Sequence, residues 1–157
     1  MFAKPQSEHA WLDQLIGDWK FEHDCQMPDG NTSKTEGKMT CRSLGGLWLV
    51  CESSGDAPES GPWSSIMTLG YDPSQYQYVG TFVGSMMANL WQYSGQREAG
   101  GNRLVLDTVG PRFDGKGTCD YRDTIEIAAS DRWLMTSALQ DDEGNWVRFM
   151  TGTHTRV

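Results

Sequence analysis

The sequence predicts an all-β fold: an antiparallel up-and-down meander of about ten strands, closed into a barrel and preceded by a short helix. Three observations predict it. The 157 residues carry seven Trp, five Tyr and five Phe together with 18 Gly, which suits many short strands and tight turns better than a helical bundle. From Gly17 onward, apolar side chains recur at every second residue, the period of a strand with one buried face. The strand-like segments follow one another at hairpin spacing with no helix between them, and closing such a meander removes its unpaired edges.

The helix comes first, over about residues 7–16. Ser7 is a suitable N-cap. Trp11, Leu12, Leu15 and Ile16 fall on one stripe, and Gly17 stops the helix. In the first strand Trp19, Phe21, His23 and Cys25 alternate with Lys20, Glu22, Asp24 and Gln26. Pro28–Asp29–Gly30–Asn31 is a turn into a strand from Lys34 to Ser43. Gly45–Gly46 then leads into Leu47–Cys51, and Asp56 to Pro62 reads as a loop.

The clearest hairpin joins Trp63–Tyr71 to Tyr76–Val83 through Asp72–Pro73–Ser74–Gln75. Centred on Pro73–Ser74, it sets Tyr71 opposite Tyr76 and Leu69 opposite Tyr78, which collects the large apolar residues on one face. Further strands read as Asn89–Arg97, Arg103–Val109, Asp120–Ala128, Arg132–Gln140 and Trp146–Arg156. No repeat or linker divides the chain, so residues 1–157 read as one domain, with the barrel over about 17–156.

The formal net charge is −8, from 21 acidic and 13 basic residues. That balance argues against nucleic acid or an anionic membrane as a partner. The first residues contain no apolar run, so no secretory signal is expected, and no window is long and apolar enough for a membrane span. The four cysteines, Cys25, Cys41, Cys51 and Cys119, form no C-x-x-C pair. Neither a zinc site nor a thioredoxin-like motif is expected, and the cysteines read as reduced thiols of a cytoplasmic protein. There is no G-x-S-x-G elbow, no H-E-x-x-H and no phosphate-binding glycine loop, so no catalytic residue is assigned.

Leu15–Ile16–Gly17–Asp18–Trp19 resembles the calycins, the superfamily of lipocalins and fatty-acid-binding proteins, in which Gly-x-Trp opens the first strand after a short helix. The resemblance implies that an Arg late in the last strand packs over that Trp; here it is Arg156. Geometry agrees, because a closed meander makes the first and last strands neighbours. Gly17, Trp19 and Arg156 are thus expected to be structural. Ser43–Leu44–Gly45–Gly46–Leu47–Trp48, Leu69–Gly70–Tyr71–Asp72–Pro73, Tyr78–Val79–Gly80–Thr81–Phe82 and Thr155–Arg156 look like an uncharacterised bacterial family, domain of unknown function 1579. That resemblance spans nearly the whole chain and implies a fold but no activity.

If Arg156 stacks inside the barrel, Trp146, Arg148, Met150, Gly152 and His154 share its inward face. Pairing across the Asp141–Gly144 turn sets Arg148 near Ser137. Asp123, between Tyr121 and Ile125, is the carboxylate placed to meet Arg148. The expected cavity residues are therefore His23, Tyr78, Trp91, Asp123, Arg148 and His154. They support three readings: a module binding a small, mainly apolar molecule, an enzyme acting on such a molecule through lumenal polar groups, or a barrel filled by its own side chains. Nitrobindin-like barrels are similar in strand count and hold haem through a His near the C-terminus, as His154 is here. The first strand lacks the further glycines that those proteins place after the Trp, so no cofactor is expected.

Overall fold

A computed structural model describes all of residues 1–157. Helix α1 (Ser7–Leu12) continues as a single 3₁₀ turn, Asp13–Leu15. Ten strands follow: β1 (Gly17–Gln26), β2 (Thr32–Leu44), β3 (Trp48–Ala57), β4 (Gly61–Asp72), β5 (Gln77–Gly84), β6 (Trp91–Arg97), β7 (Arg103–Pro111), β8 (Thr118–Ala129), β9 (Arg132–Gln140) and β10 (Trp146–Arg156). Each pairs antiparallel with the next, and β10 returns to β1, so the sheet has no open edge.

The strands are those the alternation indicates, and the turns hold the differences. The helix N-cap is Gln6 rather than Ser7: the Gln6 N–H donates to His9 Nδ1 at 2.9 Å. β3 and β4 extend into the stretch read as a loop, since Asp56 still pairs with Pro62 and Ala57 with Gly61. The β4–β5 turn is longer than two residues. Asp72 Oδ1 accepts from the Ser74 N–H and hydroxyl at 2.9 and 2.6 Å, and Tyr76 takes a φ of 54°. Tyr71 therefore stands opposite Tyr78, and Leu69 opposite Gly80. That register lies two residues from the expected one, and a shift of two leaves every side chain on its original face.

A shift of one does not. Trp146 pairs with Gln140 and Arg148 with Ala138, and a bulge then resets the ladder so that Met150 meets Ser137. Phe149 is the extra residue. It turns inward against Tyr121 and Phe113, with ring centroids 6.0 and 5.1 Å away.

The core is concentrated at the helix end. Leu15, Trp19, Leu49, Leu69, Leu104 and Trp133 are essentially inaccessible there. The helix seals this end with polar pins as well as packing. The Tyr78 hydroxyl donates to the Glu8 carbonyl at 2.8 Å, the Trp11 indole N–H to the Gly101 carbonyl, and the Trp19 indole N–H to the Leu15 carbonyl at 2.9 Å. His9 is buried against Tyr71, edge to face at 5.8 Å.

Candidate functional site

The opposite end has no such seal. Trp63, Phe82 and Met135 point inward and pack against the core, yet remain only half-buried, as do Phe149 and Met150. Several inward rings rest over a glycine of the neighbouring strand. Phe21 stands opposite Gly37, Trp63 opposite Gly55 and His23 opposite Gly152, and at each glycine a Cβ would collide with the ring. Alternation alone did not expose this pairing. The signal in the sequence is a glycine at an inward position of a strand.

Two clusters of interior polar groups stand out, beside the buried hydroxyls of Ser53, Ser65 and Thr108. In the first, the Tyr93 hydroxyl donates to Asp123 Oδ2 at 2.5 Å, and Ser137 stands opposite Asp123 on β9 with its hydroxyl towards the same carboxyl. Burial raises the Asp123 carboxyl above its ordinary pKa, against the lowering effect of those two hydrogen bonds. Burial, followed by the Asp123 charge, pushes the Tyr93 phenol well up. The cluster is satisfied internally, as buried polar groups usually are.

The second cluster is His23 and His154, with ring centroids 5.5 Å apart. His154 is wholly inaccessible, stacked on Trp133 at 3.6 Å and 7°. Neither of its ring nitrogens has a hydrogen-bond partner, and neither does His23 Nε2. Burial lowers the His23 pKa to about 4, partly offset by Asp24. Burial, followed by the neighbouring His23, lowers that of His154 to about 3. Both imidazoles are neutral near pH 7.

The expected cavity residues thus separate. His23 and Asp123 line the interior towards the open end, and Trp91 packs there over Gly110 and edge to face with Tyr121 at 5.0 Å. Tyr78 lies at the sealed end, pinned to the helix. His154 is enclosed by Trp133 and Phe21. Arg148 does not reach the interior. The register before the bulge places it beside Ala138, whose other neighbour, Arg122, bonds Asp107 on the outer wall. Asp123 is accordingly paired with Tyr93 and Ser137 and not with Arg148. Arg148 borders a cleft of about 530 Å³ at the open rim, together with Lys34, Asp24, Phe149 and Met150.

The Arg156 guanidinium lies 4.2 Å over the Trp19 ring and donates to the carbonyls of Gln14, Ile16 and Ser130. Gly17, with φ at 135°, lies directly beneath it.

A family model described as a protein of unknown function, DUF1579, matches residues 4–156. No curated protein matches the chain. Among solved structures, the chain is similar to Rv2717c from M. tuberculosis, with a TM-score of 0.67 at 12% identity over 98% of this chain and 99% of that one. It is also similar to the S-type phycobiliprotein lyase CPES from Guillardia theta, with a TM-score of 0.64 at 12% identity over 98% of both chains. A redesigned β barrel, mFAP0, bound to DFHBI, gives a TM-score of 0.51 at 13% identity over 91% of this chain and 99% of that one. At these identities the likeness is one of fold.

Proposed function

The chain belongs to the DUF1579 family, and we propose that it binds a small, mainly apolar molecule in the open half of its barrel. One observation carries this reading. Trp63, Phe82 and Met135 face inward but are only half-buried, whereas Leu15, Trp19, Leu49, Leu69, Leu104 and Trp133 at the helix end are inaccessible. An apolar wall of this kind with a few polar groups at its floor suits a small-molecule site. Met135 and Met150 add an adaptable lining. His23 and Asp123 supply the polar contacts within reach of the opening, and Arg148 at the rim is placed to meet a polar or anionic end of the ligand. The fold likeness to a barrel bound to DFHBI is consistent with this reading.

A fluorescent apolar dye titrated into the purified protein tests the proposal, alongside native mass spectrometry of the protein as isolated. The dye is expected to bind in a saturable one-to-one manner, with quenching of Trp fluorescence. Met135→Arg, which puts a charge in the open half, is expected to abolish binding. Val109→Arg, on the outer wall, leaves it unchanged. Equal binding by the two variants, or none by the parent protein, would overturn the reading.

A further inference from the structure

β2 and β3 bring together two thiols that are ten residues apart in sequence. Cys41 and Cys51 stand directly opposite each other in the ladder. Both are free and point into the sealed half of the barrel, 2% and 1% exposed. Their Sγ atoms are 2.7 Å apart, well inside an ordinary contact between two unbonded sulfurs. The other cysteines lie elsewhere: Cys25 at the open rim opposite Met150, and Cys119 on β8 opposite Gly110. No cluster of His, Cys, Asp or Glu capable of holding a metal includes the pair.

The backbone already has the geometry of a disulfide. Directly opposed residues of an antiparallel pair have Cα atoms about 4.5–5.5 Å apart. A disulfide spans Cα separations of about 4.4–6.8 Å. The opposed positions thus fall within the Cα range that a disulfide spans.

We infer that Cys41 and Cys51 form an intramolecular disulfide across β2 and β3 when the chain folds in the presence of a small-molecule disulfide, and that the completed barrel then shields the bond. With oxidised glutathione, one cysteine loses its proton, and its thiolate attacks the glutathione disulfide and displaces one glutathione thiolate. The second cysteine thiolate attacks the protein sulfur of the resulting mixed disulfide and releases the other glutathione. Two protein thiols are oxidised, and one glutathione disulfide is reduced to two thiols.

The folded barrel leaves no room beside either sulfur for that reagent. The contact with Cys41, reinforced by burial, also holds the Cys51 thiol well above its ordinary pKa, so little thiolate is present. Exchange therefore belongs to the folding chain. The same enclosure protects the bond from reductants once it has formed. A chain that folds in a reducing compartment keeps the pair as a dithiol.

The test uses the full chain, reduced and unfolded, then refolded in a buffer of oxidised and reduced glutathione. The refolded protein is expected to be lighter than the reduced protein by two hydrogens. After the exchange is quenched with acid and the protein is unfolded, only Cys25 and Cys119 are expected to alkylate, and a peptide map joins Cys41 to Cys51. A reductant added to the native protein leaves the bond intact, and the same reductant in denaturant opens it. A variant carrying Cys25→Ser and Cys119→Ser retains the loss of two hydrogens. Four alkylated thiols after oxidative refolding, a stable glutathione adduct on Cys41 or Cys51, or a cross-link through Cys25 or Cys119 would each overturn the inference. Because the parent protein and this double variant give the reading, it does not depend on whether Cys51→Ser folds.

Discussion

The guanidinium of Arg156 lies 4.2 Å above the indole of Trp19, and its Nη1 donates to the Ile16 carbonyl at 2.8 Å. One side chain from the last strand thus holds the first strand and the segment that leads into it. Gly17 fits beneath because it has no Cβ. Arg156→Ala is expected to lower stability by about 2–4 kcal/mol, combining the lost cation–π contact with unpaired carbonyls. Arg156→Lys recovers less than half, because an ammonium lacks the planar fork. Gly17→Ala alone combines a collision with a strained φ. In the Arg156→Ala background only the strain persists, at about 1–3 kcal/mol. Urea denaturation of the four proteins in this cycle measures the difference.

The bulge in β10 separates Arg148 from Phe149. Arg148→Ala is expected to change stability by less than about 0.5 kcal/mol, as for other exposed residues. Phe149→Ala, which removes a ring from the Tyr121 and Phe113 contacts, is expected to cost about 2–4 kcal/mol. Denaturation midpoints that reversed this order would place Arg148 inside and contradict the bulge.

Tyr93 and Asp123 form a buried pair at 2.5 Å. Tyr93→Phe leaves the carboxyl with Ser137 alone and is expected to cost about 1–3 kcal/mol. Asp123→Leu in that background is expected to restore part of the loss, since it removes the half-satisfied carboxyl and leaves only the Ser137 hydroxyl to find another partner. Additive losses across the cycle would show that the two residues are not coupled.

His23 and His154 make stability depend on pH. Their folded pKa values, about 4 and about 3, lie below the ordinary 6.5. Between those limits the unfolded chain binds more protons than the folded one, so stability falls as pH drops from 6.5 towards 3. The slope approaches about 1.4 kcal/mol per pH unit for each imidazole held neutral in the folded state. Above 6.5 neither contributes a slope. Asp123 acts in the opposite sense: its pKa is raised by burial, so its contribution falls as pH rises from 3.8 through the folded value. His154→Phe is expected to flatten the acid limb of a plot of stability against pH.

Much of the barrel is legible in the residues alone. Alternation from Trp19 to Cys25 and the spacing of the turns give ten strands and their order, because the period-two pattern has one solution that buries its apolar face. Arg156 over Trp19 is legible for the same reason: closure makes their strands neighbours. Arg148 is not. Its side depends on whether β10 runs without interruption, and no local signal around Phe149 marks the extra residue.

Periodicity and chain order are enough to dictate the all-β class, the closure and the Gly17–Trp19–Arg156 clasp. The rest was left to packing in three dimensions. Packing left Trp63, Phe82 and Met135 half-buried at the end away from the helix and set Cys41 against Cys51. These outcomes depend on ladder register. A two-residue change at Asp72 leaves every face unaltered, whereas a one-residue bulge at Phe149 moves Arg148 from the inside of the barrel to the outside.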